Sequence, residues 1–152
     1  MPPQEEFSGF DGEVAVRAGM DSIEHGIFMT DECVELMLSK GTYLVPTLSA
    51  LLNILVNADQ GIPEYVVEKT ERIKDRHKDS VLMFHRAGGK IAMGTDAGTP
   101  FNLHGKNQQE LKYMVELGIP VKDALVSANA NAAALLGTPD RGHISEGPLR
   151  TC

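Results

Sequence analysis

Short apolar runs bounded by glycine occur three times along the chain, each after a segment in which apolar residues recur at helical spacing. A short apolar run between glycines predicts a buried strand. A glycine just after a helix adopts the left-handed C-cap conformation at low cost. The pattern therefore predicts three helix–strand units, in the segments VAVRAGMDSIEHG, VELMLSKGTYLVPTL and MFHRAGGKIAMGTDAG.

The predicted strands are continuous apolar runs, which is typical of a parallel sheet covered by helices and hence of the α/β class. Parallel strands joined by right-handed crossovers point the same way, so their carboxyl ends lie on one face. The residues that leave the three strands are His25, Thr47 and Asp96. We therefore expect these three side chains to lie on one rim of the sheet.

Cap signals predict where several helices begin and end. Thr30, followed by two acidic residues, predicts an N-cap, and Gly41 predicts the end of the same helix. Pro63 is predicted at the first position of the longest helix, which the glycine pair 88–89 closes. Two more helices are predicted in NQQELKYMVELG and PVKDALVSANANAAALLG, the second broken or continued near Asn129.

Composition narrows the class of protein. The chain has 152 residues, of which 42% are hydrophobic and 23% charged, as expected for one globular domain. With 21 acidic against 14 basic residues and no basic cluster, nucleic acid is not an expected partner. No apolar run approaches the roughly 18 residues of a membrane span, so no membrane association is expected. Two distant cysteines and a start without signal-peptide features predict a cytoplasmic protein.

His25 and Asp96 are a nitrogen and an oxygen donor of the kind that bind zinc. Each also has an ordinary structural explanation. A histidine at a strand end often bonds backbone atoms, and an aspartate before a turn often bonds its own backbone two residues on. The functional alternative for Asp96 is a carboxylate that takes a proton from a metal-activated water. The residues alone leave both interpretations open.

His104 follows Asp96 by eight residues, in the loop after the predicted third strand. A loop histidine on the active face could contact substrate, although a solvated or capping role is the more common one. His77, His85 and His143 are assigned no role.

The segments AGMDSIEHGIFMTDECVELMLSKGTYLVPTL, AGGKIAMGTDAGTPFNLHGKNQQELKYMVELG and SANANAAALLG resemble the C-terminal half of the amidohydrolase superfamily. The similarity covers roughly residues 12 to 147 and is greatest to the imidazolonepropionase-like branch that includes Xaa-Pro dipeptidases. The resemblance implies a (β/α)₈ TIM barrel with one or two divalent metal ions, usually zinc. It implies that His25, after the sixth strand, is a metal ligand and that Asp96, after the eighth, is a metal ligand and catalytic general base. His104 would contact substrate.

The His-x-His pair of the family's first strand, its fourth-strand lysine and its fifth-strand histidine have no counterpart in this chain. A complete barrel needs about 250 residues, so 152 residues correspond to a partial barrel, roughly strands six to eight with their helices. We expect a non-family extension at residues 1–11, the partial barrel at 12–141 and a truncated tail towards a small β domain at 142–152.

The resemblance thus predicts a fragment of a metal-dependent hydrolase that acts on C–N bonds, with the isolated chain inactive. The alternative is a non-catalytic α/β module that binds a ligand or a partner. The expected substrate is a small molecule or dipeptide, with dipeptides, cyclic imides and amidines all open, as is the number of metal ions. Open strand edges predict self-association.

Overall fold

The computed structural model of the chain describes residues 10–144. The predicted extension at residues 1–11 and tail at 142–152 fall largely outside this range, so both assignments stay predictions. Helices predominate over two short strands. The helices are α1 (Phe10–Arg17), α2 (Asp31–Lys40), α3 (Leu48–Val56), α4 (Glu64–Arg86), α5 (Gln108–Leu117), α6 (Val121–Val126) and α7 (Ala132–Leu135), with a π-helical turn (Ser127–Asn131) before α7; the strands are β1 (Ser22–Glu24) and β2 (Tyr43–Val45).

The two strands are parallel and adjacent, with Ile23 opposite Leu44. A third segment joins them through one parallel bridge between Leu44 and Ile91. Leu44 N donates to Lys90 O at 3.0 Å, and Ala92 N donates to Leu44 O at 2.9 Å. The predicted parallel α/β arrangement is therefore present, but the third strand is reduced to a single bridge.

The third segment is short because its outer edge contacts helix rather than strand. Met93 N donates to Ser127 O at 3.0 Å, and Asn131 Nδ2 donates to Ile91 O at 2.8 Å. The π-helical turn therefore takes the hydrogen bonds that a further strand would make. At the other edge, β1 pairs only with β2 within residues 10–144. Self-association through that edge stays a prediction.

The hydrophobic core lies between the strands and the helices. Leu44 and Ile91 belong to the buried cluster, and Ile23 packs against it. Because side chains alternate between the two faces of a strand, Glu24 and Val45 lie on the opposite face from Ile23 and Leu44. That second face leads to the strand exits. The buried helical residues of the core include Val16, Met37, Val81, Phe84 and Met114.

The cap signals are largely confirmed. Thr30 Oγ1 accepts from Cys33 N at 3.1 Å, and Gly41 ends α2 in the left-handed conformation with φ of 72°. Pro63 was predicted at the first helical position, but α4 begins at Glu64 and Pro63 is its N-cap residue. The last predicted helix continues past Asn129 through the π-helical turn. None of the helices in the described range is long and apolar enough to cross a membrane.

Candidate active site

The three strand exits have an unusual backbone conformation. His25, Thr47 and Asp96 have φ of 64°, 49° and 53°, and only one other non-glycine residue in the described range has positive φ. L-residues rarely adopt this region, and such strain is concentrated at functional sites. The residues that the strand pattern selected thus share a conformation that an ordinary connecting loop avoids.

These three residues line one cavity of about 210 Å³, together with Glu24, Val45 and Gly94. A Cβ atom on Gly94 would collide with Cγ1 of Val45, so glycine is required where the third segment approaches β2. The expected convergence on one rim is therefore confirmed. Glu24 is a lining carboxylate that the sequence patterns did not predict. Ser22 Oγ donates to its Oε1 at 2.6 Å.

The His25 ring is exposed and bonds a side chain rather than the backbone. Its Nδ1 lies 2.6 Å from Thr47 Oγ1, and Thr47 Oγ1 lies 2.8 Å from Pro46 O. A hydroxyl has one hydrogen, so both contacts are satisfied when Thr47 donates to Pro46 O and His25 Nδ1–H donates to Thr47. This tautomer leaves the lone pair of His25 Nε2 available to a metal ion.

The Asp96 carboxylate is exposed and makes no hydrogen bond or ion pair with the residues of the described range. The turn around it is instead stabilised by Asn102, whose Nδ2 donates to Thr95 O at 2.5 Å and to Asp96 O at 3.0 Å. The structural explanation of Asp96 as a residue that bonds its own turn therefore does not apply. A buried asparagine performs that task, and the carboxylate remains available at the cavity.

His104 does not line this cavity. It is exposed, and its Nε2 lies 3.8 Å from where a Cβ on Gly98 would be, beside the loop that follows Asp96. Contact between His104 and substrate stays a prediction. Of the histidines without an assigned role, His85 bonds Asp123 at 2.9 Å, away from the cavity.

His77 lies in α4 directly behind the His25 exit and is 2% exposed. Burial lowers its pKa to about 4, and the nearby backbone groups of Pro46 and His25 oppose this only in part. Its Nε2 has no hydrogen-bond partner in the described range, so the cost of burial dominates the pKa of His77. One turn on, Ser80 Oγ donates to Ile27 O at 2.9 Å. Helix α4 thus supports the loop that carries His25.

The lowered pKa of His77 predicts a loss of stability in acid. Unfolded His77 has a pKa of 6.5 and the folded residue about 4, so the unfolded state binds the proton first as the pH falls. The stabilising contribution is therefore complete above pH 6.5 and lost as pH falls to about 4, a change of about 3 kcal/mol in the free energy of unfolding. Urea unfolding of the wild type and of His77→Leu across this range measures it. Parallel pH profiles of the two proteins would contradict the assignment.

Glu110 is a buried carboxylate that the sequence patterns also did not predict. It is 0% exposed, and it accepts from Leu48 N at 2.7 Å, Ser49 N at 2.7 Å and Ser49 Oγ at 2.6 Å. Burial raises its pKa, while these hydrogen bonds act in the opposite direction. A signal was present in the sequence, because Glu110 shares helical spacing with Tyr113 and Met114 on the buried face of α5.

The donor set suits a metal ion but is incomplete within the described residues. Across residues 10–144, no three His, Cys, Asp or Glu side chains form a group that could bind a metal ion. His25 and Asp96 nevertheless supply a free imidazole nitrogen and a free carboxylate at one cavity. This combination fits two positions in the coordination shell of zinc or a similar divalent ion.

Parallel strands with ligand-type side chains at their carboxyl ends define an α/β protein of the kind whose sites lie at the strand exits. The sequence profile of the amidohydrolase family matches residues 9–149. The chain therefore belongs to the amidohydrolase family, and the resemblance noted from the motifs is confirmed.

Several relatives and solved structures are similar to the chain. An uncharacterised protein of Mycobacterium tuberculosis is 35% identical over 82% of this chain and 34% of its own length. Ochratoxinase of Aspergillus niger is 32% identical over 88% of this chain and 28% of its own length; its crystal structure matches with a TM-score of 0.77. The structure of a Xaa-Pro dipeptidase with bound methionine matches with a TM-score of 0.81 and 40% identity, over 93% of this chain and 35% of that chain. The chain thus spans about a third of the relatives' length.

Proposed function

We propose that the chain contributes part of the active site of a metal-dependent hydrolase that cleaves C–N bonds of amides or peptides. One observation carries the proposal: the unpartnered Asp96 carboxylate and the Nε2 lone pair of His25 occur at one cavity, both on strained strand exits. Family membership supports hydrolysis as the reaction class. In this proposal β1, β2 and the segment at Ile91 are the sixth, seventh and eighth strands of the barrel.

His25 and Asp96 would bind the metal, with zinc the best candidate. A bound divalent ion would polarise the substrate carbonyl and acidify water. Asp96 acts as the general base: it accepts a proton from the attacking water and returns it to the nitrogen that leaves. Thr47 orients His25 through the Nδ1 hydrogen bond. Gly94 allows the third segment to pack closely against Val45 of β2 at the cavity.

The substrate is a small molecule or dipeptide in this proposal. Support comes from the similarity to a Xaa-Pro dipeptidase and to ochratoxinase over most of this chain. His104, beside the loop after Asp96, is the proposed substrate contact.

Zinc titration of the full 152-residue chain by calorimetry tests the metal site. We expect His25→Ala and Asp96→Ala each to weaken zinc affinity by at least about tenfold, because each removes one of two ligands. His85→Ala is the matched control: its imidazole bonds Asp123 away from the cavity, so zinc affinity should not change.

The alternative is a module that binds a ligand or partner without catalysis. The specific observation in its favour is that no three His, Cys, Asp or Glu side chains of residues 10–144 form a group that could bind a metal ion. Equal zinc affinity in the wild type, His25→Ala and Asp96→Ala would contradict the proposed metal site and favour this module.

A further inference from the structure

Thr47 occupies the N-cap position of α3 but does not cap it. Its backbone is left-handed, with φ of 49° and ψ of 42°, and its side chain makes no capping hydrogen bond. A threonine at this position ordinarily accepts from the N–H of the second or third helical residue. Here the hydroxyl instead contacts Pro46 O and His25 Nδ1. The first turn of α3 therefore needs another acceptor.

Glu110 of α5 supplies this acceptor. It lies 62 residues after Leu48 and 61 residues after Ser49 in the sequence. One carboxylate oxygen accepts from Leu48 N, and the other accepts from Ser49 N and Ser49 Oγ. A carboxylate at a helix N-terminus also interacts favourably with the helix dipole. The side chain is fully buried, so water cannot take over these bonds if the carboxylate is removed.

We propose that Glu110 is a positioning residue of the active site, acting through Thr47 on His25. Because Glu110 caps α3, the Thr47 hydroxyl stays free to accept from His25 Nδ1–H. That bond keeps the imidazole in the tautomer whose Nε2 lone pair is available at the cavity. The inference rests on the proposed function only in so far as His25 is a metal ligand.

A positioning role and a purely structural role for Glu110 predict different results when its carboxylate is removed. Without the carboxylate, the N–H groups of Leu48 and Ser49 need an acceptor. Thr47, at the N-cap position, has the hydroxyl that ordinarily accepts from the second helical residue, here Ser49. Once Thr47 turns to cap the helix, His25 loses its partner and reverts towards the Nε2–H tautomer that free histidine favours. An anchor alone would lower stability and leave the tautomer of His25 unchanged.

The test is the ¹⁵N NMR signature of His25 in the metal-free full chain, recorded at about pH 8.5, where ordinary imidazoles are neutral. His25→Ala identifies its signals among those of the five histidines. Glu110→Gln replaces one acceptor oxygen by an NH₂ group that faces a donor. We expect the ratio of the Nδ1–H to the Nε2–H tautomer to fall by roughly fivefold to tenfold, as for the loss of one hydrogen bond.

Thr30→Ala is the matched control. It removes the Thr30 hydroxyl, which caps α2 by accepting from Cys33 N and which donates to Glu13 rather than to His25. The tautomer ratio of His25 should stay at the wild-type value in this variant. An unchanged ratio in Glu110→Gln, or an equal change in Thr30→Ala, would overturn the proposal.

Glu110→Asp serves the same purpose if Glu110→Gln does not fold, since it keeps the negative charge but shortens the side chain by one methylene and so weakens the bonds from Leu48 N and Ser49 N. It should shift the tautomer ratio in the same direction by a smaller factor, and no shift would count against the positioning role. The readout needs no metal and no substrate. Equal zinc affinity in the wild type, His25→Ala and Asp96→Ala would therefore contradict the proposed function, whereas an unchanged tautomer ratio would contradict the role of Glu110.

Discussion

Asp96→Asn is expected to lower kcat for C–N bond hydrolysis by about a thousandfold or more, with a much smaller change in KM. Asparagine matches aspartate in size but cannot accept the proton of the attacking water. The turn should survive the change, because Asn102 bonds the backbone oxygens of Thr95 and Asp96 rather than the carboxylate. The effect should therefore fall on the chemical step.

The assay uses a chimaera in which this chain replaces the matching 35% of the similar Xaa-Pro dipeptidase. Steady-state kinetics on a proline dipeptide then give kcat and KM separately. Asp123→Asn is the matched control, since that carboxylate bonds His85 away from the cavity, and it should retain activity. Activity of Asp96→Asn within tenfold of the parent chimaera would exclude Asp96 as the general base.

Features that depend on neighbouring residues could be predicted from the sequence. Thr30 and Gly41 enclose α2 as expected, because a cap is a bond between residues three or four apart. The rim of His25, Thr47 and Asp96 followed from a topological rule about parallel strands, which needs only the order of helices and strands. The backbone conformation of these rim residues could not be predicted from the sequence. A left-handed φ at Thr47 opposes the conformational preference of a β-branched residue.

Features that depend on distant residues could not be predicted. Helix α3 was not predicted from the sequence. Its capping residue, Glu110, lies in α5, and Thr47 at the N-cap position does not cap the helix. Asn102 was missed for a similar reason, since its contacts with Thr95 and Asp96 depend on how the loop folds back. The third segment was predicted as a strand but forms a single bridge at Ile91, and nothing local showed that Ser127 would bond Met93 N. The roles of the rim residues stay proposals.

The chain alone is expected to show no detectable hydrolysis of dipeptides or cyclic amides, and the remainder of a relative supplied in trans should restore turnover. Catalytic zinc generally has three protein ligands, and the site must be positioned within about half an ångström. Within residues 10–144 the cavity is lined by Glu24, His25 and Asp96, but no three such side chains form a group that could bind a metal ion. The outer edge of β1, beside His25, makes no strand pair in that range. Without a firmly bound metal ion, Asp96 would face water that is too weakly acidic to deprotonate.

The measurement compares the chain alone, the chain co-expressed with the complementary two-thirds of the Xaa-Pro dipeptidase, and that segment alone. Turnover of a proline dipeptide should appear only in the co-expressed pair, and Asp96→Asn in this chain should abolish it. The segment alone controls for residual activity of the relative's own residues. Zinc-dependent hydrolysis by the chain alone, abolished by Asp96→Asn, would contradict the expectation. Because two ligands cannot account for such activity, the result would mean that copies of the chain associate and complete the site between them, which sedimentation at micromolar concentration would then detect as a dimer.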